Sequence, residues 1–223
     1  MPSIQEANAL GKIPLQPAFR ILEHTLITVA LYRYAGSPDD EYAVNECCIA
    51  LPVTSRGSSV ISQWSAWLNP WHQKGINFLH IAQWLQSGEE HSSEQDLLCQ
   101  HLGLKDSKDH NVRIVSSRGT LFSQIQHQNH TLFTVTGNLG PALPSRALNY
   151  TRSWASPTEL RSAQVKTTGW CRLHPRPLMT MTYGDLQGIP SSTHQLMNRL
   201  TLDEQEALFA WAAERQSLSF VSQ

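Results

Sequence analysis

The chain has 223 residues, 40% hydrophobic and 16% charged, which is enough apolar material for one buried core or two small lobes and excludes collagen-like, coiled-coil and disordered compositions. Seventeen basic and eighteen acidic side chains leave a net charge of −1, so the overall balance assigns no partner. No basic cluster with an apolar core follows Met1, and the longest apolar stretch, near residues 26–31, is far short of a bilayer span; a cytoplasmic protein without membrane contact is expected.

Residues 19–35 are rich in β-branched and aromatic side chains, and the second half of this run predicts a strand; residues 41–53 continue in the same vein after the turn at 36–40. The period then changes. Val60, Ile61, Trp64, Trp67 and Leu68 form an amphipathic helical stripe that Asn69 and Pro70 stop. Phe78, Leu79, Ala82 and Leu85 give a second stripe between Gly75 and Gly88, widened by Ile81 and Trp84. Ser93 with Asp96 opens, and Gly103 closes, a short helix over 94–102. The polar run 105–110 is the best internal boundary, separating an acidic part, 1–109, from a basic, strand-rich part, 110–223, unless both belong to one domain.

Beyond that boundary the period moves towards two. Residues 111–117, 120–126 and 131–136 predict strands, the last two joined as a hairpin through the polar loop His127-Gln128-Asn129-His130. Residues 138–144 read as a loop, 162–170 and 178–183 as strands, and 174–177 as a proline-rich turn. Thr201 with Glu204 is a capping box for a C-terminal helix over 202–215, with Leu208, Trp211 and Ala212 on its buried face. The expected class is α+β: a mixed or antiparallel sheet with several short amphipathic helices, mainly within 58–104 and at the C-terminus.

Charge is unevenly placed. Residues 1–109 hold seven basic and twelve acidic side chains and residues 201–223 one and four, whereas residues 110–200 hold nine and two, a local balance of +7. Eight of those nine cations are arginine, whose planar fork suits phosphate oxygens. Arg146, Arg152, Arg161, Lys166, Arg172 and Arg176 are interleaved with Tyr150, Trp154 and Trp170, the mixture of cations and ring planes that single-stranded nucleic acid requires. With Arg118 in a small-residue segment, these ten residues form the expected nucleic-acid-binding set, for single-stranded RNA or DNA or duplex. The competing account pairs the arginines with the acidic segments of the same chain.

Trp64, Trp67, Trp71 and Trp84 are expected to dock other protein subunits or to pack the core. Cys47, Cys48, Cys99 and Cys171 lack paired spacing, so reduced thiols are expected and neither a disulfide framework nor a zinc ribbon. Cys171 with His174 and His127 with His130 are weak ligand pairs; neither a metal nor another cofactor is expected. No nucleophile elbow or phosphate-cradling glycine loop is present, and residues 110–200 hold too few acids for a two-metal nuclease.

These features point to a small non-catalytic subunit of a nucleoprotein assembly, such as an RNA-guided antiviral defence or plasmid-associated complex, binding nucleic acid through its arginine-rich segment. The alternatives are an RNA-processing enzyme or hydrolase using histidine acid–base chemistry at His127, His130 or His174, and a protein–protein adaptor.

Overall fold

The computed structural model describes residues 15–18, 20–21, 24–34, 44–55, 77–86, 110–145, 149–155, 160–184, 205–213 and 216–221. The first half contributes β1 (Leu15–Pro17), β2 (Arg20–Ile21), β3 (His24–Thr25), β4 (Thr28–Tyr34), β5 (Val44–Ser55) and β6 (Asn77–Leu85). Then come β7 (His110–Ser117), β8 (Thr120–His127), β9 (His130–Asn138), β10 (Leu143–Ser145), β11 (Asn149–Ala155) and β12 (Leu160–Thr167). The chain continues with β13 (Cys171–His174), β14 (Leu178–Tyr183), β15 (Gln205–Glu206), β16 (Ala210–Ala213) and β17 (Gln216–Val221).

The expected α+β class is corrected: the described residues are nearly all β-sheet and contain no helix. The stripe read as a helix around Phe78 to Leu85 is the central strand β6. It lies between β5 and β11. Leu79 and Trp84 face one set of core side chains, while Phe78 packs against a cluster on the other face. A strand buried on both faces carries apolar residues in near-continuous runs, and such runs mimic a helical stripe. The C-terminal helix is corrected as well. Residues 205–206 and 210–213 are strands, and β16 pairs with β13 from Cys171↔Ala213 to His174↔Ala210. Trp211 and Ala213 pack on the cluster of Tyr150, Val165 and Cys171, so burial overrides the helical propensity of Ala. The expected helices over 58–68 and 94–102 lie outside the described residues.

Three sheets build the core. One runs β1-β5-β6-β11-β12-β17, with β4 also on β5; all its pairings are antiparallel except β6 with β11. A second runs β15-β14-β9-β8-β7 and a third β10-β13-β16. Hydrogen bonding thus joins β5 and β6 to β11 across the charge boundary near residue 109.

The hairpins explain the second sheet. Arg118 (φ 49°) with Gly119 (φ 83°), and Gln128 (φ 46°) with Asn129 (φ 67°), make two-residue turns with both central residues left-handed, the geometry that matches strand twist. The β8–β9 pairing from Thr120↔Asn138 to His127↔His130 is the hairpin expected from sequence. Its apolar side, with Val112, Ile125, Phe133, Val135, Met179 and Met181, closes on Cys47, Ile49 and Trp84 of the first sheet. Trp84 and Phe133 meet edge to face at 5.2 Å. The opposite face of the first sheet meets the third sheet through Tyr32, Phe78, Tyr150, Val165, Cys171 and Trp211.

Candidate functional site

Alternation along β5 sends Cys47 and Ile49 to the apolar core and Glu46, Cys48 and Ala50 to the opposite face. On β6 a bulge supplies what alternation would deny. Ile49 faces Ala82 but Ala50 faces His80, so Ile81 has no opposite number. His80 and Gln83, three residues apart, therefore share the face of Glu46 and Cys48; bulges re-aim side chains in this way. The parallel register Arg152↔Phe78 and Trp154↔His80 adds Arg152 from β11, and the register Tyr32↔Glu46 adds the phenols of β4.

The result is a polar cluster enclosed within the sheet layers. Arg152 and Glu46 are both fully buried and form an ion pair of 2.5 Å through Nη2 and Oε1. Arg152 also donates from Nη1 to the Tyr34 hydroxyl (2.8 Å) and from Nε to His80 Nε2 (3.2 Å). Its guanidinium lies 4.5 Å from the Tyr32 ring centroid. Glu46 further accepts from Gln83 Nε2 (2.6 Å) and from the Tyr34 hydroxyl. The Tyr32 and Tyr150 hydroxyls share a hydrogen bond of 2.6 Å, and Cys48 Sγ is 3.7 Å from His80 Nε2.

Protonation follows from these contacts. Burial, reinforced by the Arg152 guanidinium, holds His80 well below the usual imidazole range, against an opposing effect of Gln83. Because Nε2 accepts from Arg152, the neutral ring carries its proton on Nδ1. That Nδ1 is buried and has no hydrogen-bond partner among the described residues. Burial raises the Tyr34 phenol, as does the Glu46 carboxylate, and burial raises the Cys48 thiol. For Arg152, burial acts downwards but Glu46 and the neighbouring phenols outweigh it, so the guanidinium stays charged.

Glu46, Cys48 and His80 bring three donor atoms within 4.8 Å of one another, close enough for a metal. Arg152 already donates to Glu46 and to His80, placing a fixed positive charge where a cation would sit. The trio is therefore a hydrogen-bonded network, not a metal centre.

The residues expected to contact nucleic acid are split by the fold. Tyr150, Arg152 and Trp154 are buried, with Arg152 spent on Glu46, an intramolecular pairing of basic and acidic segments. Arg161 is half-buried, Lys166, Trp170, Arg172 and Arg176 are exposed, Arg118 is exposed in the β7–β8 turn, and Arg146 lies outside the described residues. Of the expected docking tryptophans, Trp84 is buried in the core; Trp64, Trp67 and Trp71 lie outside the described residues. Cys171 and His174 point to opposite faces, being an odd number of residues apart on one strand, and His174 Nδ1 lies 3.2 Å from the Gly140 carbonyl. The sequence reading missed Tyr32, Tyr34, Glu46, Cys48, His80 and Gln83. Its available signal was a lone acid in VNECCIALPV and a lone histidine in FLHIA.

No protein-family model matches the sequence, and no curated protein matches it. Among solved structures, an acetoacetate decarboxylase from Legionella pneumophila subsp. pneumophila str. Philadelphia 1 is similar over 88% of this chain and 73% of its own, with a TM-score of 0.46 and 10% identity. A likeness at that level carries no chemistry to this chain. The expected nucleoprotein subunit is corrected: of the residues on which it rested, Tyr150, Arg152 and Trp154 are interior, while Trp170 is exposed. Among the described residues, no helix is long and apolar enough to cross a membrane.

Proposed function

We propose that the protein binds a small molecule bearing a carbonyl or carboxylate oxygen at the Arg152–Glu46–His80 cluster and polarises that oxygen. The observation that carries this reading is the buried His80 Nδ1–H, which makes no well-aligned hydrogen bond among the described residues and has the Gln83 side chain beside it, next to a guanidinium with donors to spare. Three of the five N–H groups of Arg152 serve Glu46, Tyr34 and His80, leaving two without an acceptor among the described residues. A neutral imidazole beside a fixed positive charge in a dry interior stabilises negative charge developing on a bound oxygen. Burying an ion pair is expensive compared with apolar packing, which supports a working role. Cytoplasmic placement belongs to the same proposal and is supported by three buried free thiols, Cys47, Cys48 and Cys171.

A second reading has its own support: among the described residues, Arg152, Glu46, Tyr34, Gln83 and His80 each already hydrogen-bond to another member of the cluster, as in a device that only fixes strand register. Side-chain NMR of the histidines, with acetate, pyruvate and acetone as probes, separates the two. Ligand binding predicts a saturable shift of the His80 ring resonances and a rise in melting temperature, both lost in His80→Asn and both kept in Arg172→Ala. Absence of any saturable response to all three probes would overturn the proposal in favour of the structural network.

A further inference from the structure

We propose that His110 and His127 form a binding site for a divalent transition-metal ion at the open end of the β7–β8 ladder, remote in chemistry from the Arg152 cluster and independent of its reading. The register pairs His110 with His127 and His127 with His130, so three imidazoles stand in one row across three adjacent strands. Directly opposed residues of an antiparallel pair share a face. His127 Nδ1 and His110 Nε2 are 3.2 Å apart, and their ring centroids lie 4.8 Å apart with the planes inclined at 43°.

That nitrogen separation has two physical accounts. In one, a single proton is shared, one ring donating and the other accepting. In the other, a metal replaces the proton: two imidazole nitrogens bound at ~2.0–2.1 Å with tetrahedral angles are themselves about 3.3 Å apart. Both rings are half-buried and His130 is exposed, so the row is held by the ladder yet open to an incoming ion. The turn of Gln128 and Asn129 fixes the spacing of the second and third histidines. Neutral imidazole donors suit zinc, nickel and copper(II) over the oxygen-seeking magnesium and calcium. This contrasts with the interior trio, where Arg152 excludes a cation. The site departs from the metal-free chain expected from cysteine spacing.

The test is calorimetric titration of the tag-free full chain with zinc chloride and, separately, nickel chloride, with melting temperature as a second readout. One saturable ion per chain is expected, with a rise in melting temperature that chelator reverses. His110→Gln and His127→Gln should each weaken binding by about tenfold or more, the loss that even an outer-shell change can cause. His80→Asn should leave it unchanged. Circular dichroism of each variant establishes that it remains folded. No saturable heat with either metal, or unchanged affinity in folded His127→Gln, overturns the assignment and leaves a proton-sharing pair.

Discussion

Arg152 and Glu46 lie 106 residues apart in the chain and meet at 2.5 Å, both with no solvent exposure. Each neutralises a charge that the other brings into an apolar interior, so neither charge can be buried alone when β4, β5, β6 and β11 close into one sheet. Removing one partner strands the other. Glu46→Leu or Arg152→Met alone is expected to destabilise by about 3–5 kcal/mol, whereas the double replacement recovers much of that loss. Urea unfolding of the two single variants and the double variant measures the cycle; single losses below about 1 kcal/mol would contradict full burial.

The pH dependence of stability follows from His80. Its folded pKa lies below the unfolded value of about 6.5, so the unfolded chain binds the extra proton first as the medium is acidified. Stability is then lost as pH falls from the unfolded pKa towards the folded one. The wild-type chain should lose up to about 1.4 kcal/mol per pH unit more than His80→Asn in that window. Identical slopes for both chains in denaturant titrations at successive pH values would show that His80 is solvated.

Burial raises the Cys47 and Cys48 thiols, and also Cys171, against a smaller opposing effect of Ser145. In a Cys99→Ser background, a thiol reagent at mildly alkaline pH should find no rapidly reacting group in the native chain and three after unfolding. The linkage has the opposite sign to that of His80. Stability from protonated thiols is complete below the unfolded thiol pKa and is lost as pH rises beyond it. A fast-reacting native thiol would contradict the packing of β5 or β13.

Two glycines separate backbone strain from steric closure. At Gly119 an added Cβ meets nothing nearer than 3.9 Å, so Gly119→Ala should carry only the left-handed penalty of about 1–2 kcal/mol. At Gly137, with φ of +146°, the added carbon runs into the Leu178 carbonyl where β9 and β14 approach each other. Gly137→Ala is expected to cost about 3 kcal/mol or more. Thermal melts of the two variants should rank accordingly; equal losses would mean that β9 and β14 are not closely paired.

Local chemistry made the strands β7, β8 and β9 and the β8–β9 hairpin legible, because turn residues and two-residue alternation are contained in short windows. It did not reveal β6. Whether Phe78, Leu79, Trp84 and Leu85 lie on a helix or on a strand buried on both sides depends on what covers them, and that is absent from the local sequence. The capping pattern before Leu208 and Trp211 was likewise overridden by pairing with β13.

Composition and local pattern were enough for the strand-rich second half, the β8–β9 hairpin and the segregation of acidic from basic residues. Tertiary structure alone decided the meaning of that segregation. Arg152 read as part of a surface cluster because its neighbours in sequence are cations, but its partner in space is Glu46, and burial of both charges is tolerable only once β5 and β11 lie in the same sheet. His80 required still more, since one unpaired residue in β6 turns it to the face of Glu46 and Cys48. A bulge shifts every later side chain to the other face, and its position is set by packing across strands, which periodicity within one strand cannot express.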